Sequence, residues 1–202
     1  MTNTFQKWVK EHKDNLAVKF LDYTNDYEKR KKFIESVESF LLNAKIEDLS
    51  GDVINALGIV ASDTLSESFI ESIPLEDKLL VTLTEKMSTT SHEEAKGELA
   101  GALARVEQYK SRAIKVLELL CNDKEEFTSR KALLSLSILG SDNVEMYAEK
   151  AWASGLSYQR IASIHALSEI NSPMLNKYLD LGKSDGRLFV VKNVLEIEEK
   201  NA

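Results

Sequence analysis

The sequence predicts an all-α protein: a right-handed α-solenoid of stacked helical repeats, preceded by an N-terminal helical cap. A short motif that reads apolar, small, Leu, small, apolar occurs four times, beginning at Ile54, Ala100, Leu133 and Ile164. A motif that recurs about every 30 to 45 residues is typical of stacked helical repeats. The 202 residues include only two Pro and eight Gly, so few residues would interrupt long helices.

Each copy of the motif places its largest apolar side chains on one face of a helix. Leu133 and Leu136 are three residues apart in the third copy, and Ile164 and Leu167 have the same spacing in the fourth. Residues with this spacing are neighbours on a helix surface. Small residues beside them, such as Ala166, would let a neighbouring helix approach closely. A single helical hairpin cannot bury such a face, so we expect the copies to stack.

We expect one domain over residues 1–202, with the cap in residues 1–48 and the repeats in residues 50–200. The cap would consist of two helices over residues 4–23 and 26–44, which carry no copy of the motif. Terminal repeats commonly differ from internal ones because they cover an exposed end of the stack.

Helix-start and helix-stop residues set the expected bounds of the repeat helices. Ser91 and Glu94 resemble a capping box, and Gly140 and Gly155 suit helix C-termini. A degenerate fifth copy begins at Val191. The expected helices cover residues 50–61, 63–73, 75–87, 93–108, 110–122, 124–139, 144–153, 157–170, 174–181 and 185–199.

The copies resemble HEAT-type repeats of the armadillo-like helical superfamily over residues 50–200. Arg130 and Arg160 are similar to the basic residue that often opens the first helix of a HEAT repeat. The chain lacks the proline of those first helices and a regular Asp-Val-Arg turn, and its first repeat carries an insertion. The resemblance implies pairs of helices, with the second helix of each pair lining the concave face.

Composition and charge narrow the partners that we expect. A net charge of −7 disfavours nucleic acid, which is bound by basic surfaces, and favours a basic partner. There is no run of about 18 apolar residues and no leader-like N-terminus, so we expect no membrane partner and a cytoplasmic location. The single cysteine, Cys121, cannot form an internal disulfide and suits the core of a protein in a reducing compartment.

No motif in the sequence indicates catalysis, a metal or a cofactor. The three histidines, His12, His92 and His165, do not have the spacing of zinc ligands. Gly97 and Gly101 do not form a phosphate-binding loop, and close helix packing explains their spacing. We therefore expect no enzymatic activity, no metal and no cofactor.

The candidate binding surface is formed by the second helices of the pairs. Its acidic residues outnumber its basic ones, and Tyr and Trp are favoured anchors at protein interfaces. Trp152 and Tyr147 could serve instead as core residues between repeats. The candidate partner-binding residues are Glu76, Asp77, Glu85, Tyr109, Lys115, Glu118, Glu145, Glu149 and Trp152.

These observations favour a non-enzymatic module that binds a basic protein on an acidic concave surface. A sharper version is an immunity protein that neutralises a toxin domain, by analogy with other small acidic proteins of that kind. One alternative is a DNA alkylpurine glycosylase of HEAT-like fold, which would need a basic cleft that holds an aromatic residue and a carboxylate together. The other is an assembly scaffold, including a cofactor-lyase partner.

Overall fold

The regular elements of the chain are helices throughout the residues that the computed structural model describes, 4–62 and 69–201. The all-α prediction is confirmed for these residues. The expected helix over 63–73 begins outside them. The helices are α1 Thr4–His12, α2 Leu16–Thr24, α3 Tyr27–Asn43, α4 Gly51–Ala61, α5 Phe69–Ser72, α6 Asp77–Met87, α7 Glu93–Ala102, α8 Lys110–Leu120, α9 Glu126–Ile138, α10 Val144–Ala153, α11 Ser157–Glu169, α12 Leu175–Lys183 and α13 Leu188–Asn201.

The N-terminal region differs from the expected pair of helices, because its first helix is split into two. A 3-10 turn over Lys13–Asn15 separates α1 from α2. Asp and Asn are poor residues for a helix interior, since their side chains compete for backbone hydrogen bonds. The break lets α1 and α2 each pack against both α3 and α4. Aromatic rings fill the contact between α1 and α3, where the Trp8 and Phe33 centroids are 4.8 Å apart.

The helices that carry the motif pack directly on one another. We call α4, α7, α9, α11 and α13 the motif helices; α7 contacts α9, α9 contacts α11, and α11 contacts α13. Gly97 shows how closely they approach, because a Cβ atom there would lie 2.3 Å from the Phe127 ring. The motif residues Leu133, Leu136 and Ala166 are buried, as the pattern predicts.

The remaining repeat helices pack along the row of motif helices. We call α6, α8, α10 and α12 the intervening helices. Helix α8 packs against α9, α10 against α9 and α11, and α12 against α11 and α13. Helices α8 and α10 both pack against α9. Hydrogen bonds between polar side chains, described below, connect α8 with α10. This arrangement leaves one side of each intervening helix facing outward.

Helix α7 begins at Glu93 as expected, but the expected capping box at Ser91 is wrong. Its N-cap is His92 rather than Ser91, and no side chain caps the helix there. The His92 imidazole instead shares a hydrogen bond of 2.8 Å with the Asn55 amide oxygen, and its ring lies against Gly58. Packing against α4 therefore fixes this turn, and local capping does not.

Other helix ends follow from backbone conformation. Gly140 and Gly155 have φ angles of 67° and 75°, in the left-handed region, and both follow helix ends as predicted. The expected helix over 93–108 is wrong in length. It ends at Ala102, and a 3-10 turn over Leu103–Arg105 follows it.

None of the described helices has both the length and the apolar character needed to cross a bilayer.

Candidate partner-binding surface

The nine candidate residues all lie on the intervening helices or in the turns that precede them. Glu76, Tyr109, Lys115 and Glu149 are exposed, and the other five are half-buried. Glu76 precedes α6, and Tyr109 precedes α8. The structure therefore distributes the candidates over α6, α8 and α10, along the outward side of the molecule. What each carboxylate contacts decides whether its charge is available to a partner.

Glu118 joins α8 to the start of α10. Its Oε1 accepts hydrogen bonds from Ser141 Oγ at 3.2 Å and from Asn143 Nδ2 at 2.7 Å. A second bond runs from Lys150 Nζ of α10 to Asn122 Oδ1, in the turn after α8, and measures 2.6 Å. The Glu118 carboxylate is consequently held in one position.

The same kind of contact recurs at the two neighbouring junctions. Asp77 of α6 accepts hydrogen bonds from the backbone N–H groups of Glu107 and Gln108, in the turn before α8. Glu145 of α10 accepts one from Ser172 Oγ, shortly before α12. We call Asp77, Glu118 and Glu145 the clasp carboxylates. Each one ties an intervening helix to the turn that begins the next.

The donors to the clasp carboxylates are all neutral, so these hydrogen bonds do not cancel the carboxylate charge. A hydroxyl, an amide or a backbone N–H orients a carboxylate but does not cancel its charge. Glu85 is different, since its two oxygens face the guanidinium group of Arg112, with Arg112 Nε 2.6 Å from Oε1. This ion pair neutralises Glu85, so Glu85 adds little to the field of the surface.

Glu149 and Trp152 lie where α10 meets α12. Glu149 accepts a hydrogen bond of 3.1 Å from the Tyr178 hydroxyl, and Lys177 Nζ is 3.9 Å from its carboxylate. Burial raises the pKa of Tyr178, and the bond to Glu149 raises it further. The Trp152 ring packs edge-on to Tyr178 at 5.2 Å and lies under the Arg160 guanidinium at 4.9 Å. Trp152 therefore packs between repeats.

Tyr147 also packs inward, against the main hydrophobic cluster. Tyr109 is different, because it is 42% exposed and has a φ angle of 57°. Only glycine adopts that left-handed conformation without steric cost, and strained residues of other types are found at functional sites more often than elsewhere. Of the candidate aromatic residues, Tyr109 is the one that the structure leaves open to a partner.

Two exposed apolar residues complete this surface, and sequence reasoning missed both. Leu119 is 58% exposed and follows Glu118, while Met146 is 54% exposed and follows Glu145. Exposed apolar side chains mark an interaction surface where they form a patch rimmed by polar residues. The signal in the sequence was that both lie off the buried face of their helices. We call Glu118, Leu119, Glu145, Met146 and Glu149 the α8–α10 surface.

The motif helices hold a second cluster of charged groups, and it is largely closed to solvent. Glu98 is 4% exposed and accepts a hydrogen bond of 2.7 Å from the backbone N–H of Ile70 in α5. Burial raises the pKa of Glu98 to about 7. Beside it, Lys131 Nζ is 2.8 Å from the Glu71 carboxylate and 5.9 Å from the centre of the Phe127 ring.

This cluster brings together a carboxylate, a cation and an aromatic ring, but within residues 4–62 and 69–201 these groups are buried or half-buried. Its most perturbed carboxylate, Glu98, is covered by α5 and already bonded to the backbone. Within residues 4–62 and 69–201, no group of three or more His, Cys, Asp or Glu side chains has the arrangement of a metal site. The cluster therefore acts within the fold, where it holds α5 against α7 and α9.

Comparison with protein-family models, with curated proteins and with solved structures finds no match to this chain. The resemblance to HEAT repeats thus depends on the motif itself. Functional inference depends on the geometry of the surfaces described above.

Proposed function

We propose that this protein is a non-enzymatic binding module whose α8–α10 surface receives a basic protein. One observation carries the proposal. Glu118 and Glu145 are each positioned by uncharged donors, and each is followed in the chain by an exposed apolar residue, Leu119 or Met146. Glu149, on the same helix as Glu145, accepts a hydrogen bond from the Tyr178 hydroxyl and has Lys177 Nζ at 3.9 Å. Fixed negative charge together with exposed apolar side chains complements a basic surface that has an apolar anchor.

The proposed scaffold is a HEAT-like, right-handed solenoid. The direct contacts from α7 to α9, α9 to α11 and α11 to α13 support it, as does the recurrence of a clasp carboxylate at three successive junctions. In such a stack the intervening helices present a continuous surface to one partner. We propose that the module acts in the cytoplasm, in keeping with its single buried cysteine.

The sharper form of the proposal is an immunity protein that blocks a basic toxin domain. Its support is the negative charge of this small chain and the fixed carboxylates, since a nuclease-like toxin that binds an anionic substrate carries a basic site. An acidic surface with preset geometry would mimic the charge of that substrate.

The first experiment identifies the partner and locates its site. Proteins captured by the chain from its own host, with chemical cross-linking, should include a basic protein joined to α8 or α10. Reversing two charges, with Glu118→Lys and Glu149→Lys, should weaken that complex by about tenfold or more at low ionic strength. Added salt should weaken the wild-type complex in the same direction.

A matched control comes from α3, which lies in the N-terminal region. Glu35→Lys and Glu38→Lys reverse two exposed charges there and leave the α8–α10 surface intact. This control should bind as the wild type does. If both reversals on α8 and α10 leave the affinity unchanged, the proposed surface is wrong.

A further inference from the structure

A small cavity lies between α8, α9, α10 and α11, with a volume of about 160 Å³. Its apolar wall and floor come from side chains of all four helices or of the turns beside them. These residues are Cys121, Leu133, Tyr147, Ala151 and Leu156. An apolar cavity of about 150 Å³ accommodates a benzene molecule. The space therefore suits one aromatic ring with a small substituent.

Gln159 supplies the buried polar group of this cavity, and its side chain is fixed. The residue is 6% exposed. Its Nε2 donates to the carbonyl oxygen of Glu126 at 3.2 Å and to Ser129 Oγ at 2.7 Å. Because a carbonyl oxygen only accepts, the amide cannot be flipped. Gln159 Oε1 receives no hydrogen bond from any residue in the described ranges, so it remains available to a donor in the cavity.

The charges around the cavity favour a neutral donor over a cation. Asp123 and Glu126 line it, but Asp123 is paired with Lys96 and Glu126 with Arg130 at 2.8 Å. Lys124 and Lys150 lie at its solvent side and would repel an ammonium or guanidinium group. The Cys121 thiol stays protonated, because burial raises its pKa to about 12.

We infer that this cavity binds a neutral aromatic group of phenol size that donates one hydrogen bond to Gln159 Oε1. The inference goes beyond the protein-binding proposal and holds without it. A phenol group can come from a free small molecule or from the tyrosine side chain of a bound protein. Burial of the ring against Leu133 and Ala151 would supply affinity, and Gln159 would select for the hydroxyl.

The test is an NMR titration of the full chain with p-cresol and, separately, with toluene, which has the same ring and methyl group but no hydroxyl. We expect p-cresol to shift the amide signals of Tyr147, Ala151 and Gln159 with a Kd on the order of 1 mM. Toluene should bind about tenfold more weakly, because the Gln159 oxygen would stay unpaired. Equal affinity for the two probes, or no saturable shift with p-cresol, would overturn the inference.

Two variants locate the site. Ala151→Leu fills the cavity and should abolish binding, whereas Ala153→Leu adds the same side chain at an exposed position of α10 and should leave binding intact. An uncharged tripeptide, acetyl-Gly-Tyr-Gly-amide, separates the two sources without the ammonium groups that Lys124 and Lys150 would repel. If it shifts the same three amides, the site accepts tyrosine from a protein. If p-cresol alone does so, the site serves a small phenol. Persistence of p-cresol binding in a folded Ala151→Leu chain would place it elsewhere and refute the assignment.

Discussion

Individual carboxylates of this chain behave differently because their partners differ. Glu118 is bonded to neutral donors that do not cancel its charge, Glu85 is paired with the Arg112 cation, and Glu98 is buried under α5. Three residues of similar side-chain chemistry thus have three roles. The sequence shows that these positions are acidic, but not which partner each one meets, because the partners lie about 25 to 30 residues away along the chain, roughly one repeat.

Glu98 gives a prediction on pH. The folded chain holds the Glu98 proton up to about pH 7, whereas a free glutamate releases it near 4.5. At this site the folded state therefore binds more protons between these values, and the contribution of Glu98 to the free energy of unfolding should fall as pH rises from 4.5 to 7. Glu98→Gln keeps the acceptor for Ile70 without the charge. It should be more stable than wild type by about 2 kcal/mol at pH 8, measured by urea unfolding.

The comparison needs an exposed glutamate that does not influence the pKa of a neighbour, as Glu94 influences that of His92. Glu35→Gln on α3 should retain the wild-type dependence on pH. If Glu98→Gln shows the same fall in stability between pH 4.5 and 7 as the wild type, Glu98 does not titrate in this range.

Helix packing accounts for what could and could not be predicted about the elements. The apolar spacing of Leu133 and Leu136 predicted buried motif helices, and these are buried. The break at Lys13–Asn15 was missed because the apolar period continues across it, although Asp14 and Asn15 disfavour a helix interior. The break at Leu103–Arg105 was missed because a tertiary contact accompanies it: the Arg105 side chain donates to the backbone carbonyl oxygens of Glu71 and Ile73. The N-cap of α7 was assigned to Ser91 instead of His92, because the contact of His92 with Asn55 could not be read from local sequence.

The close approach of α7 and α9 can be tested at Gly97. In Gly97→Ala the added methyl group would lie 2.3 Å from the Phe127 ring, so the two helices must shift apart. We expect a loss of about 1 to 3 kcal/mol in the free energy of unfolding. Gly97→Ala combined with Phe127→Leu should recover part of that loss.

Gly51→Ala is the matched control for this prediction. Gly51 is the first residue of α4, and a Cβ atom there meets no atom within 4 Å. It should therefore cause no loss of stability in thermal or urea unfolding. Equal effects of the two substitutions would mean that helix propensity, and not close packing, determines the result.

At the scale of the whole molecule, the same carboxylates serve two purposes. Asp77, Glu118 and Glu145 link successive intervening helices, and Glu118 and Glu145 also hold their charge at the proposed binding surface. The sequence predicted acidic residues on these helices. It did not predict that hydrogen bonds from the neighbouring turns would fix the positions of their carboxylates. Stability and binding can be separated, because the first needs only a hydrogen-bond acceptor and the second needs the charge.

The most direct measurement compares glutamine and alanine at three positions of the α8–α10 surface. Glutamine at residues 118, 145 and 149 keeps an acceptor oxygen and removes three charges, whereas alanine removes both. We expect the glutamine variant to keep the wild-type Tm and to lose about tenfold or more in affinity for the captured basic partner at low ionic strength. The alanine variant should lose stability as well. A glutamine variant that binds this partner with wild-type affinity would contradict the proposed function.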